Sequence, residues 1–260
     1  MPEIIEIEIY RRWGEAMVGR RIETVVADDD WFLKDGATAD AVAVVAEGST
    51  VDAVRRRGKL MLVDLSSGVT LGWRYGMTGR LIVDDEAAID QLEYSSMRDE
   101  PAWDRFVLHF DDGGSARIRD PRRLGGVSID PDEDALGMDA FALTPSELRD
   151  RVAVGSVAIK ARLLDQQRVA GIGNLIADET LWRAGIDPAR AAGELDDGER
   201  RRLLRHLRSV LADFDRDGGS HTGRLHESRV RGGLCPRDGA PLDRRTIGGR
   251  TTFSCPQHQA

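Results

Sequence analysis

Apolar residues recur at helical spacing from the start of the chain. In MPEIIEIEIYRRW, Ile4, Ile5, Ile7, Tyr10 and Trp13 fall on one stripe, as in an amphipathic helix. Pro2 suits a first helical turn, and Glu3, Glu6 and Glu8 suit the positive end of the helix dipole. Between 20 and 130 the period changes to two. RIETVVA, STVDAVRRRGKLMLVDLSSGVTLGWR, GRLIVDD and RFVLHFDDGGSARIRD alternate apolar with polar positions and turn at SSG and DDGG, so this part is expected to be mostly strands of a β-sandwich or barrel. The acidic, proline-containing stretch IDPDEDALGMDAFAL predicts a linker. From 143 the period is helical again. LTPSELRDRV opens with a Thr and places Glu147 to close a capping box, KARLLDQQRVAGIGNLIADETLWRAGI carries two stripes interrupted at Gly171 and Gly173, and DDGERRRLLRHLRSVLADF is a further amphipathic helix. From 226 the chain turns to Gly, Arg, Pro and Cys, the composition of a small hairpin module.

The bulk numbers narrow this outline. A chain of 260 residues with 41% hydrophobic and 32% charged residues reads as a globular protein of more than one domain. The sequence lacks both a long apolar run and a basic-then-apolar leader, so a cytoplasmic protein without membrane partners is expected. A formal charge of −8 argues against nucleic acid. The charges are segregated, however: VRRRGK, RIRDPRRLGG, RRRLLRHLR and SRVRGG are basic, while DDEAAIDQLE and GELDDGE are acidic. A basic face on an acidic body meets the same totals.

Two stretches carry chemistry on their own residues. Cys235 and Asp238 are spaced C-x2-D and Cys255 and His258 C-x2-H, with sixteen residues between the pairs. Paired knuckles at the two ends of a hairpin are how a chain wraps a tetrahedral zinc, so these four residues are either a structural zinc site or a metal-free hairpin that keeps the relics of one. In AGIGNLIADE, glycines lead into a helix whose first N–H groups, with Asn174, form an anion pocket. A plain helix–helix turn gives the same letters.

Together, MPE, RRRGKLMLV, GMTGRL, RDPRRLGG, KARLLDQQRVAGIGNLIADETLWRAGIDP, GGS and RTTFSCPQH resemble, in order and spacing, the formamidopyrimidine-DNA glycosylase and endonuclease VIII family of base-excision repair enzymes. The resemblance spans the chain. It implies an α+β multidomain fold: an N-terminal catalytic β-sandwich with flanking helix over 1–130, a linker over 131–142, a helix–two-turns–helix DNA-binding domain over 143–225, and a zinc-finger-like β-hairpin over 226–260. It implies a bifunctional glycosylase/AP lyase, monomeric, acting on oxidised bases in duplex DNA without a soluble cofactor. Pro2 would be the nucleophile once Met1 is removed, Glu3 the acid/base and Glu6 a second carboxylate of the motif. Lys59, Asn174 and Arg250 match residues that grip phosphates, which suits a cation, an amide and a guanidinium fork. Met77, with Arg122, Arg123 and Leu124, matches the segment that fills the hole left by an extruded base.

The chain also departs from the family pattern. Ile5 stands for a second proline, Arg74 for a histidine, Leu124 for an aromatic wedge, and Cys, Asp, Cys, His for four cysteines. The segment after Gly219 is about ten residues short of the branch whose loop closes over 8-oxoguanine, which shifts the expected substrate to other oxidised bases or abasic sites. A lesion-binding protein of the same fold without catalysis is the rival reading, and a retained Met1 would favour it.

Overall fold

A computed structural model describes residues 2–89, 92, 96, 98 and 100–260. Contacts divide the chain into two units. One holds Pro2 and Glu6–Glu133; the other holds Glu3–Ile5 and Asp134–Ala260.

In the first unit, helix α1 (Ile4–Gly14) leads into strands β1 (Ile22–Val26), β2 (Val51–Arg57), β3 (Leu60–Leu65), β4 (Thr70–Arg74), β5 (Arg80–Val83), β6 (Glu86–Ala87), β7 (Asp104–Phe110), β8 (Ser115–Arg119) and β9 (Gly126–Ile129), with helix α2 (Ala39–Ala46) between β1 and β2. Every strand pair is antiparallel. The sheets run β1-β7-β8-β5-β6 and β2-β3-β4-β9, and their inner faces share one core. Trp73 on β4 meets Phe106 on β7 edge to face at 5.5 Å between ring centroids, a favoured aromatic geometry. Met61, Val63, Leu71, Leu81, Leu108 and Ile118 fill the rest, and α1 adds Ile7 and Tyr10. Along β2, Val51 and Val54 are buried and Asp52 and Arg55 exposed, the two valines standing three apart because the register shifts between Val51 and Ala53.

One expectation needs correction here. Trp13 is not part of the buried stripe but stays 37% exposed, whereas Ile4, Ile5, Ile7 and Tyr10 are fully buried. The stretch ADAVAVVA, inside the part read mostly as strands but outside its quoted strand stretches, is a helix. The Thr38 hydroxyl caps it by accepting from the Ala41 N–H, and it buries Val42 and Ala46, four apart.

The second unit holds helices α3 (Pro145–Glu147), α4 (Ile159–Leu164), α5 (Asn174–Ala184) and α6 (Asp197–Asp217), strands β10 (Met138–Asp139) and β11 (Val169–Ala170), and the hairpin of β12 (Asp243–Ile247) and β13 (Arg250–Ser254). The capping box at Thr144 and Glu147 forms as expected, and Asp196 and Glu199 make another at α6. Glycines at 185 and 218, both with positive φ, close α5 and α6. Helix α6 buries Leu203, Leu204, Leu207, Val210, Leu211 and Phe214, one stripe at helical spacing. Helix α5 is buried almost all round, Asp178 and Glu179 included. Gly248 and Gly249, with φ of 58° and 71°, form the two-residue turn between Ile247 and Arg250, a pair of positive-φ residues that glycine supplies without steric cost. No described helix is long and apolar enough to cross a membrane.

Candidate functional site

The start of α5 is the best-defined polar arrangement in the second unit. The chain enters it through Ile172 and Gly173, leaving N–H groups without helical partners. These do not face an empty pocket: the buried Glu3 carboxylate occupies it. Its Oε2 accepts from the N–H groups of Gly173 at 2.9 Å and Ile176 at 3.2 Å, and its Oε1 from Leu175 at 2.8 Å. The anion expected at this helix start is thus the chain's own side chain. The segment is fixed further by the Ile4 N–H, which donates to the Gly171 carbonyl. A Cβ on Gly173 would lie 2.2 Å from Glu3 Cδ, so glycine here is a condition of the carboxylate's position.

Asn174, expected to face phosphate, donates through Nδ2 to the Thr251 carbonyl at 3.0 Å, while its Oδ1 is buried without a hydrogen-bond partner among the described residues. Arg250, beside Thr251, is exposed and makes no side-chain hydrogen bond or ion pair among the described residues.

Below the hairpin lies a residue that the sequence reasoning gave no role. Lys160 is fully buried and contacts Asp178 Oδ1 at 2.7 Å, Thr252 Oγ1 at 2.6 Å and the Thr251 carbonyl at 3.3 Å. Burial pulls its ammonium below the ordinary lysine range, against the pull of Asp178. Arg229 binds the other oxygen of Asp178 and its guanidinium sits 5.5 Å from the Phe253 ring centroid. Lys160 and Asn174 therefore converge on the carbonyl next to Arg250. The one available signal was a lysine at a helix start inside an otherwise apolar stripe.

In the first unit, Pro2 and Glu6 are buried. Tyr10 is wholly buried beside Glu6, and both effects push its phenol well above the ordinary range. Lys59 is half-buried in the β2–β3 turn. Arg56 braces that turn by donating to the Gly58 carbonyl and to Glu8 of α1.

Met77, Arg122, Arg123 and Leu124 lie on two loops that touch: a Cβ on Gly76 would come within 2.4 Å of the Leu124 carbonyl carbon. Met77 is half-buried, while Arg122, Arg123 and Leu124 are exposed, Leu124 by 48%. Arg123, in a left-handed conformation, is held by Asp29. The organiser of both loops is Asp120, within RDPRRLGG, a position to which the sequence alone assigns no role. Its buried carboxylate accepts from Thr78 Oγ1 and from the N–H groups of Arg122, Leu124 and Gly125.

The hairpin module gathers Cys235, Asp238, Cys255 and His258 with donor atoms all within 4.8 Å of one another. Cys235 Sγ lies 3.8 Å from His258 Nδ1, Cys255 Sγ 3.3 Å from Asp238 Oδ2, and His258 Nδ1 2.8 Å from that oxygen. Ligands of a tetrahedral zinc at ordinary bond lengths stand about 3.3–3.8 Å apart, so the donor set fits a metal with small adjustment. The surroundings fit too. His258 Nε2 lies 3.3 Å from the Trp182 carbonyl, which leaves Nδ1 as the ligand, and the Trp182 indole N–H donates to Cys235 Sγ at 3.4 Å. The Ala240 N–H, then His258, hold the Asp238 carboxyl well below the usual range.

Comparison with known proteins agrees with this architecture. Residues 1–127 match the family profile of the formamidopyrimidine-DNA glycosylase N-terminal domain, and residues 133–223 that of the formamidopyrimidine-DNA glycosylase H2TH domain. Among solved structures, the Lactococcus lactis Fpg in complex with abasic-site DNA superposes with a TM-score of 0.82 at 22% identity, covering 99% of both chains, which establishes the fold. It is therefore the β-sandwich and H2TH architecture of a glycosylase. Proteins named formamidopyrimidine-DNA glycosylase from Chloroflexus aggregans (32% identical, 98% of each chain) and Paracoccus denitrificans (34%, 98% of this chain and 99% of the relative) align throughout. The chain belongs to the formamidopyrimidine-DNA glycosylase family.

Proposed function

We propose that the protein is a bifunctional DNA glycosylase and AP lyase that removes damaged bases from duplex DNA. The observation that carries this reading is the Glu3 carboxylate, buried and held by three backbone N–H groups at the start of α5, one residue from a proline whose nitrogen becomes a secondary amine when Met1 is removed. A terminal amine with a generic pKa of about 7.7–8.0 has a usable neutral fraction at neutral pH. Pro2 nitrogen attacks C1′ of the damaged nucleotide and the glycosidic bond breaks. Glu3 takes the proton that the Pro2 nitrogen sheds and passes it to the sugar ring oxygen, the base leaves as its anion and is protonated from solvent, and the amine becomes an iminium on the opened sugar. The iminium acidifies C2′; loss of that proton expels the 3′ phosphate, and a second elimination expels the 5′ phosphate. Glu6 assists as a second carboxylate. Lys59, Asn174 and Arg250 hold the flanking phosphates, while Met77, Arg122, Arg123 and Leu124 fill the vacated stack. Asn174 is the indirect member of the clamp, since its side chain is committed to Thr251.

The short segment after Gly219 shifts the expected substrate toward oxidised bases other than 8-oxoguanine, or abasic sites. Supporting this, the short segment after Gly219 is pinned: Glu179 accepts from the N–H groups of Arg224 and Leu225, and Arg229 is tied to Asp178. The domain limits of 1–130, 131–142, 143–225 and 226–260 are kept as the working division for truncation.

Borohydride reduction on a duplex with one abasic site tests the mechanism. The wild type gives a covalent adduct mapped to the residue 2 nitrogen, and Pro2→Gly, which substitutes a primary amine, a weaker one. No adduct from protein that has lost Met1 and binds the duplex leaves the non-catalytic lesion binder as the reading.

Arg250→Ala should weaken duplex binding evenly across sequences and lower the salt slope by about one; a loss confined to one lesion removes Arg250 from the clamp. Zinc at Cys235, Asp238, Cys255 and His258 would be structural, fixing the hairpin that carries Arg250. Elemental analysis should find about one zinc per chain, and chelation should lower the melting temperature. Protein free of zinc with an unchanged melting temperature on zinc addition identifies the cluster as a metal-free relic.

A further inference from the structure

On residues outside the proposed phosphate contacts, α6 carries a basic groove that the reading above does not use. A groove of about 510 Å³ runs between α6 and the segment from Pro145 to Arg149, within the volume range of ligand sites. Exposed Pro145 lies at its floor, with Leu148 and Leu204 almost wholly buried beside it. Arg149, Arg200, Arg201, Arg205 and Arg208 surround that floor, with Asp197 the one carboxylate among them.

Most of these charges are partly engaged: Arg149 with Asp150, Arg200 with Asp197, and Arg208 with the Leu143 carbonyl. Arg201 and Arg205 are exposed and make no ion pair or hydrogen bond among the described residues. With Arg208 they stand at i, i+4 and i+7 on one stripe, where like charges repel. Leucines, Val210 and Phe214 supply the packing of α6, so the fold does not require guanidinium groups at 201 and 205. In a chain of net charge −8, this stripe has kept several.

We propose that this groove binds a short acidic and apolar peptide segment of a partner protein. Carboxylates of the partner would pair with Arg201 and Arg205, and its apolar side chains would lie on Pro145 and the aliphatic stems of the arginines. The floor decides between anionic partners. A phosphate backbone has nothing to place on an apolar surface, whereas a peptide alternating acids with leucine or phenylalanine fills floor and rim together. Arginine is also enriched in protein interfaces and their hot spots, where its fork pairs with carboxylates.

Fluorescence anisotropy on the full chain tests this. The probes are a labelled peptide alternating aspartate with leucine, its aspartate–serine counterpart, and an undamaged duplex. The aspartate–leucine peptide should bind saturably, and Arg201→Glu with Arg205→Glu should weaken it about tenfold or more while duplex affinity stays close to wild type. Arg201→Lys with Arg205→Lys should recover part of the binding, and unchanged circular dichroism shows the fold intact. Equal binding of the aspartate–serine peptide overturns the proposal, because charge alone then suffices. So does a charge-reversed variant that binds the peptide normally, or one that loses the duplex and keeps the peptide, which makes the groove a nucleic-acid surface.

Discussion

Gly173→Ala should lower the single-turnover rate of base excision by roughly 100-fold, the scale of a misplaced catalytic group, with duplex affinity nearly unchanged. The cause is steric. Gly173 has φ −116° and ψ −165°, a conformation alanine adopts without strain. Its Cβ, however, would lie 2.2 Å from Glu3 Cδ, 2.4 Å from Oε1 and 2.6 Å from Cγ. The carboxylate has to leave its three N–H donors, and a group proposed to protonate the sugar leaves with it. Glu3→Gln breaks the same arrangement differently, since both carboxylate oxygens accept N–H bonds and an amide NH2 must replace one acceptor with a donor. The two substitutions should therefore not add: the double variant should excise no more slowly than Glu3→Gln. An abasic duplex separates binding from chemistry, because it bypasses base loss. Borohydride adducts there should survive in Gly173→Ala better than excision does. A wild-type excision rate in Gly173→Ala removes Glu3, in this position, from the reaction.

The contrast between what was readable and what was not follows the range of the interaction. Local rules succeed with local features: Thr144 and Glu147 cap their own helix, and Gly248 and Gly249 close their own hairpin. Helix α2 defeats them because ADAVAVVA alternates valine with alanine, which mimics a strand. Tertiary packing decides instead, burying Val42 and Ala46 and leaving Val44 83% exposed. Anion binding at GIGN was legible as a set of donors, but the anion sits 170 residues away from Gly173 in sequence. Lys160 and Asp120 were hidden for a related reason. A charged residue next to apolar ones reads as solvated, and only the assembled unit reveals that each is fully buried with its partners in place. The cysteine, aspartate and histidine spacing was legible because both knuckles are local and the hairpin register joins them, Asp243 opposite Ser254 next to Cys255.

Asp120 supports the largest expected effect on stability. Asp120→Ala should destabilise the protein by about 3 kcal/mol, the scale of leaving several buried donors without an acceptor. Thr78 Oγ1 and the Arg122 N–H share one carboxylate oxygen, and the Leu124 and Gly125 N–H groups share the other. No nearby side chain replaces it, because the loops meet backbone to backbone at Gly76 and Leu124. Asp120→Asn keeps one acceptor and confronts the remaining N–H groups with an NH2, so about half the loss is expected. The functional consequence is separable from the stability. With the two loops loosened, Met77 and Leu124 no longer share a fixed edge, and a wedge needs that rigidity to hold bases apart. A duplex with 2-aminopurine next to the lesion reads this directly. At a temperature where both proteins are folded, the wild type should raise its fluorescence by unstacking it, and Asp120→Asn should raise it much less. Unstacking that survives in Asp120→Asn despite the lost stability would mean that Asp120 supports the β-sandwich alone, and that Met77, Arg122, Arg123 and Leu124 take their positions from the DNA.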